Sequence, residues 1–315
     1  MTEKPEIFAR GRFPDPTEEL LEQHFNVHWE RRADDRARML ADIGPRIRAI
    51  ATTSAQRTGD DLLDHFPNLE ILSTFSVGYE HVDIPAARSR KILVTNTPDV
   101  LNECVADFAI GQTIMLLRRM GEGERYLRAG QWPKGAFPLG AHLGGRTLGL
   151  YGLGGIGSRI ATRATAFGMK IAYHGRRRRP EYPDYAYHDT LVGLAKACDV
   201  LIAVLHPSPE TIGSINAEVL EALGPKGYLI NVARASIVDR DALLHALQNK
   251  TIAGAAIDVF WNEPNADTAF FDLERVVLTP HQGGASVETR AAMGRLMVDN
   301  LLGHFSGQGV LTPVS

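Results

Sequence analysis

The chain of 315 residues is long enough for about two domains. With 44% hydrophobic and 23% charged residues it is neither disordered nor fibrous, and its net charge of −3 offers no basic field to nucleic acid or an anionic membrane. It has no apolar run of about 20 residues and no signal-peptide stretch, and Cys104 and Cys198 cannot build a disulfide framework, so no membrane span and a cytoplasmic location are expected.

The first third alternates short apolar runs with helical patterns. Strands are predicted at 6–10, 25–29, 47–52, 69–75 and 92–95, and helices at 17–23, 32–41, 62–66 and 84–90. Continuous apolar strands alternating with helices imply a parallel sheet covered on both faces. A long helical pattern follows over 102–129. The loop 130–145, with Trp132, Pro133 and Pro138, reads as a crossing between domains. A second series then predicts strands at 147–151, 170–174, 200–205, 228–232, 252–258 and 276–279, with helices at 157–167, 217–223 and 240–248 among them. A last helix is predicted at 287–305. Six short strands with intervening helices fit a doubly wound nucleotide-binding domain.

An apolar strand and an amphipathic helix flank the spacing Gly152-x-Gly154-x-x-Gly157. In that context Gly152 permits a tight turn, Gly154 lets a pyrophosphate approach the backbone, and Gly157 lets the helix pack close to the strand. The N–H groups near Gly155 and Ile156 would face the phosphates. A glycine-rich structural turn is the bland alternative. The next strand ends in KIAYHGRRRRP, with no acid to take a ribose 2′-hydroxyl. A guanidinium binds a 2′-phosphate, so Arg176 and Arg177, nearest the strand, predict NADPH over NADH. Arg178 and Arg179 read as a solvated basic turn.

Ligands of open α/β sheets bind beyond the carboxyl ends of the strands. Three strands of the second series end near Arg234, Asp258 and His281, and Glu263 follows Asp258 in a short loop. Singly, each has a bland reading as loop polarity or a cap. Together they supply what carbonyl reduction needs: a cation for a carboxylate, an acid to protonate the developing alkoxide, and a carboxylate to hold that acid in its charged form. The aromatic candidates for a substrate pocket are Phe75, Trp132, Phe137 and Trp261.

The set Gly152–Gly157, Asn231-Val-Ala-Arg234, Asp258-Val-Phe-x-x-Glu263-Pro264 and Thr279-Pro-His281 resembles the D-isomer-specific 2-hydroxyacid dehydrogenase family, as do Ser76-Val77-Gly78 with Asp83 and Asn96-Thr97-Pro98. Within that family the arginine-rich turn and TPHQGGASVETR are similar to the NADPH-using glyoxylate/hydroxypyruvate and hydroxyphenylpyruvate reductases. The resemblance implies an α/β fold of two doubly wound parallel-sheet domains, one a Rossmann dinucleotide-binding domain over 100–285. The other is a flavodoxin-like substrate domain over 1–99 plus 286–315. It implies Arg234, Glu263 and His281 as catalytic residues. It implies cofactor contacts at Gly152, Leu153, Gly154, Gly155, Ile156, Gly157, Gly175, Arg176, Arg177, Val232, Ala233, Arg234 and Asp258. The substrate is implied to meet Ser76, Val77, Gly78, Arg234 and His281.

The expected reaction is NADPH-dependent reduction of a small 2-oxo acid, glyoxylate or hydroxypyruvate, with a homodimer formed through the long helix and its following loop. Trp132 or Phe137 is a candidate to enter the partner's site. No metal, nucleic-acid or membrane partner is expected. Two departures stand out, Ala235 where the family often has Gly after the arginine and Glu80 where Asp is common. An aryl-pyruvate reductase and a dinucleotide-sensing, corepressor-like protein are the alternative readings.

Overall fold

Runs that are apolar at every position, such as Ile71–Phe75 with all five residues buried, form the strands, because helices cover both faces of each sheet. The computed structural model describes residues 4–314, and the chain divides into two units, Met1–Leu101 with Ser286–Ser315, and Asn102–Ala285.

In the first unit the strands are β1 (Glu6–Ala9), β2 (Asn26–Trp29), β3 (Ala49–Thr53), β4 (Ile71–Phe75) and β5 (Leu93–Thr95), all parallel in the order β2-β1-β3-β4-β5. This is the flavodoxin-like order. The helices are α1 (Asp15–His24), α2 (Arg36–Ile43), α3 (Asp60–Leu63) and α4 (Ile84–Ser89). Side chains alternate across the sheet. Phe8, Ile50 and Leu72 are buried with Leu40 and Leu62 on one side. Ile7, Ala49 and Ile71 are buried on the other with Met293, Met297 and Leu301 of the C-terminal helix Val287–Phe305. The helix predicted at 32–41 starts later. A 3₁₀ turn occupies Glu30–Arg32, Ala33 is extended, and the Asp35 side chain accepts from Arg38 N at 3.1 Å to cap α2.

The second unit begins with α5 (Asn102–Leu117) and α6 (Met120–Arg128). One continuous helix over 102–129 was expected, and the structure corrects this. Arg119 adopts φ +55, its guanidinium pairs with Glu122 at 2.5 Å, and Ala141 N donates to the Leu117 carbonyl at 2.8 Å, a group that a continuous helix would use itself. The strands are β6 (Thr147–Tyr151), β7 (Lys170–His174), β8 (Ala186–Tyr187), β9 (Val200–Ala203), β10 (Tyr228–Asn231), β11 (Gly254–Ile257) and β12 (Val276–Leu278). They pair in parallel in the order β12-β11-β10-β9-β6-β7-β8. Counted from β6, this is the doubly wound Rossmann order 3-2-1-4-5-6 with one more strand. Between and beyond them lie α7 (Gly155–Ala166), α8 (Leu191–Ala197), α9 (Ala217–Leu223) and α10 (Arg240–Gln248). The sequence reading missed β8, which is only two residues long, and α8, whose start is capped by the Thr190 hydroxyl accepting from Gly193 N. Among the described residues no helix is long and apolar enough to cross a membrane.

Candidate active site

The turn from β6 into α7 separates two kinds of glycine. Gly152 has φ +105, and a Cβ there would stand 2.9 Å from Leu205 Cβ. A Cβ on Gly157 would lie 2.3 Å from the Gly152 carbonyl oxygen. Both are demanded by the turn itself. Gly154 is not, since a Cβ there would meet nothing within 4 Å. It occupies the N-cap of α7 with no side chain to cap the helix, which leaves first-turn N–H groups for an anion at the positive end of the helix. Open space at Gly154 above uncapped amides fits a dinucleotide pyrophosphate.

At the end of β7 the arginines differ. Arg179 is tied into the protein: its N–H donates to the Tyr173 hydroxyl at 2.7 Å and its guanidinium pairs with Glu181 at 2.5 Å. Arg176, Arg177 and Arg178 are exposed. The Tyr187 hydroxyl donates to the Gly175 carbonyl at 3.3 Å, so the unpredicted β8 supports this turn. The acid whose charge reaches Arg176 comes from elsewhere. Glu210, on the loop after β9, is held below the usual carboxylate range by the Ser208 hydroxyl, by its own backbone N–H and by Arg176.

Strands β10, β11 and β12 are neighbours, so their carboxyl ends bring Arg234, Asp258 with Glu263, and His281 to one edge of the sheet. Arg234 follows a turn stapled by the buried Asn231. The Asn231 Oδ1 accepts from Ala233 N and its Nδ2 donates to the Arg234 carbonyl, each at 3.0 Å. The Arg234 guanidinium is half-buried and donates to the Ala233 carbonyl at 2.8 Å.

Asp258 is buried and organises the loop after β12. Its Oδ1 accepts from the Thr279 hydroxyl (2.7 Å) and Gln282 N (2.8 Å), and its Oδ2 from Gly283 N (2.8 Å). Burial pushes its carboxyl above the usual range in spite of these bonds. The loop carries His281 at φ +52, an uncommon conformation for a non-glycine residue, and the His281 N–H is held by the carbonyls of Asp258 (2.8 Å) and Thr279 (3.0 Å). Its ring Nδ1 lies 2.8 Å from Glu263 Oε2, and Glu263 Oε1 accepts from Phe260 N at 2.9 Å. Burial alone would raise the Glu263 carboxyl. The bond to His281, the Phe260 N–H and the charges of His281 and Arg234 outweigh it and hold the carboxyl below its usual range.

In the first unit the segment Ser76–Gly78 has its carbonyls occupied. Thr97 N donates to the Ser76 carbonyl (2.9 Å), Asn96 Nδ2 to that of Val77 (2.7 Å), and the Ser76 hydroxyl to that of Gly78 (2.6 Å). The N–H groups of Val77 and Gly78 donate to none of the described residues, which suits them to an anion. The Ser76 hydroxyl also shares a 2.9 Å bond with Thr74 Oγ1, itself 2.9 Å from His81 Nε2. Nothing in the sequence pattern singled out Thr74 or His81.

The aromatic candidates differ in their surroundings. Phe75 is 5% exposed, edge-on to Phe13 and beneath Arg290. Trp261 stacks on Phe270 and donates its indole N–H to the Val238 carbonyl at 3.2 Å. Phe137 packs on Tyr126 and Arg119, and Trp132 is 66% exposed.

Residues 110–283 match the model of the D-isomer specific 2-hydroxyacid dehydrogenase family, NAD binding domain. The chain is 42% identical to glyoxylate/hydroxypyruvate reductase A of Arabidopsis thaliana over 297 residues, covering 94% of this chain and 95% of that protein. It is 40% identical to 2-ketogluconate reductase of Gluconobacter oxydans over the full length of both. Its fold superimposes on an NADPH-dependent glyoxylate/hydroxypyruvate reductase of Sinorhizobium meliloti, solved in complex with NADP and malonate, with a TM-score of 0.92 at 48% identity, covering 99% and 97% of the two chains. The chain belongs to the D-isomer-specific 2-hydroxyacid dehydrogenases, oxidoreductases that use a nicotinamide dinucleotide.

Proposed function

We propose that this chain reduces small 2-oxo acids, glyoxylate and hydroxypyruvate first among them, to D-2-hydroxy acids with NADPH. The observation that carries the reading is the His281–Glu263 pair at 2.8 Å, at the same sheet edge as Arg234. The bound nicotinamide supplies a hydride to the carbonyl carbon. The turn from Gly152 to Gly157, with Leu153, Gly155 and Ile156, holds the pyrophosphate on its amides, while Gly175, Arg176 and Arg177 take the ribose 2′-phosphate. Val232, Ala233 and Asp258 would be the residues beside a bound nicotinamide. Arg234 pairs with the substrate carboxylate and polarises the carbonyl. In the first unit, the segment Ser76, Val77 and Gly78 offers free amides of the kind that bind a carboxylate oxygen. His281 gives its proton to the carbonyl oxygen. Glu263, its carboxyl held below the usual range, orients the imidazole through Nδ1 and leaves Nε2 for the substrate.

The test is loss of absorbance at 340 nm with purified protein, using NADPH and NADH separately against glyoxylate, hydroxypyruvate, pyruvate, phenylpyruvate and 2-ketogluconate. Fast turnover of the two smallest acids with NADPH is expected. Turnover of 2-ketogluconate alone would favour a sugar-acid reductase, a second reading supported by the full-length similarity to the Gluconobacter protein.

We further propose a homodimer through α6 and the loop after it. Met120, Leu127, Trp132 and Leu139 are 56%, 57%, 66% and 92% exposed, four large apolar side chains left open within one stretch of the chain. Sedimentation of the wild type and of Leu139→Asp should give a dimer and a weakened dimer. A monomeric wild type would reject this interface.

A further inference from the structure

We propose that Gln112 is a positioning residue for the catalytic loop, acting through Thr279 and Asp258. Gln112 is 3% exposed on α5 and shares one face of that helix with Val105 and Phe108. That face meets the loop after β12: a Cβ on Gly283 would lie 3.7 Å from Val105 Cγ1 and 3.8 Å from Phe108 Cδ1. An apolar side chain at position 112 would suit this packing. The amide instead donates from Nε2 to Thr279 Oγ1 at 2.7 Å, while its Oε1 is buried with no partner. A buried, unsatisfied acceptor costs stability, so its presence calls for a compensating role.

The donor order supplies that role. Both Asp258 oxygens accept backbone N–H groups, so the Thr279 hydroxyl directs its single proton to Asp258 Oδ1 and turns a lone pair to Gln112. Gln112 therefore fixes the hydroxyl rotor. The rotor holds Asp258, and Asp258 holds Gln282 and Gly283 by its side chain and His281 by its carbonyl. The chain of bonds ends at the residue kept at φ +52. Without it the imidazole loses its fixed backbone, although Glu263 and Arg234 are untouched.

The effect on turnover rests on the reductase reading above; the effect on the loop does not. Two readouts separate them. The first is amide hydrogen exchange of Gln282 and Gly283, without cofactor or substrate, in Gln112→Met (same length, no donor) and Gln112→Glu (same shape, donor replaced by acceptor). Both should exchange about 10-fold faster than wild type, roughly the loss of one net hydrogen bond, with α7 amides unchanged. The second is kinetic. Gln112→Met should lower kcat about 10-fold while KM for NADPH stays constant. Thr279→Val should do the same, Thr279→Ser should restore the rate, and the double variant Gln112→Met/Thr279→Val should be no slower than Thr279→Val alone. Unchanged exchange at Gln282 and Gly283 in both Gln112 variants would overturn the proposal, as would kinetic losses that multiply. If the wild type reduces no 2-oxo acid, the functional reading fails and the exchange rates alone decide.

Discussion

The imidazole of His281 and the carboxylate of Glu263 meet at 2.8 Å, and the carboxylate is itself anchored by the Phe260 N–H. Anchoring at one oxygen leaves the other aimed at Nδ1, so the pair has a defined orientation although both side chains are part-exposed, 46% for His281 and 37% for Glu263. A proton on Nε2 is then directed away from Glu263. His281→Asn should lower kcat by about 10²- to 10⁴-fold, the usual worth of a general acid, with little change in cofactor affinity. Steady-state kinetics with separate cofactor titration checks this, and near-normal kcat in the variant would remove His281 from proton transfer.

The same pair predicts a pH dependence of stability. The Glu263 carboxyl ionises below its usual range in the folded chain, so the unfolded chain holds that proton more tightly. The contribution of Glu263 is therefore complete above the free glutamate pKa of about 4.3 and is lost as pH falls through the depressed value. Thermal melting of wild type and Glu263→Gln should differ near pH 6, with the variant lower, and converge in strong acid. A constant Tm difference across the acid range would show that the ionised pair is not the source.

Two glycines of one turn should respond oppositely to the same substitution. Gly157→Ala drives a methyl to 2.3 Å from the Gly152 carbonyl and forces α7 away from β6, an overpacking cost of about 1–3 kcal/mol. Gly154→Ala meets no protein atom and sits at an ordinary φ of −96°. The first should lower Tm by several degrees; the second should leave Tm unchanged and weaken dinucleotide binding. Calorimetric melting and fluorescence titration with NADPH separate the two. Unweakened binding by Gly154→Ala would mean that the pyrophosphate does not pass over this residue.

The parts visible in the sequence are those set by short-range rules. Strands such as Ile71–Phe75 and Tyr228–Asn231 announce themselves as unbroken apolar runs because they are covered on both faces. The spacing around Gly152 and the polar residues closing three strands were equally visible, since strand order alone brings those ends together. What stayed hidden depends on individual side-chain bonds and ring contacts, local or distant, that leave no periodic trace. The break at Arg119 falls two residues before Gly121, on an arginine whose left-handed conformation no residue type announces, and rests on Glu122 and on Ala141 taking the Leu117 carbonyl. The Asn231 staple, the Phe260 N–H on Glu263 and the Thr74–Ser76–His81 bonds carry no periodic signal. Nothing in the sequence around Trp261 reveals the Phe270 ring stacked on it.

The arginines after β7 predict a cofactor preference that can be separated from catalysis. Arg176 and Arg177 are exposed at the strand end, whereas the Arg179 guanidinium pairs with Glu181 and its backbone N–H donates to the Tyr173 hydroxyl. A charge-assisted bond from guanidinium to phosphate is worth about 1.5–3 kcal/mol, or roughly 10- to 100-fold in affinity. Arg176→Ala and Arg177→Ala should each lower kcat/KM for NADPH by about that factor at low salt, and leave kcat/KM for NADH nearly unchanged, because NADH has no 2′-phosphate to lose. Arg179→Ala loses only the exposed pair with Glu181 and keeps the backbone bond to Tyr173, so it should change stability little and show no cofactor selectivity. Glu210 adds a second check: its charge is felt by Arg176, so Glu210→Gln should strengthen NADPH binding modestly. An equal loss with both cofactors in the Arg176 and Arg177 variants would assign these arginines to the turn's stability rather than to the phosphate.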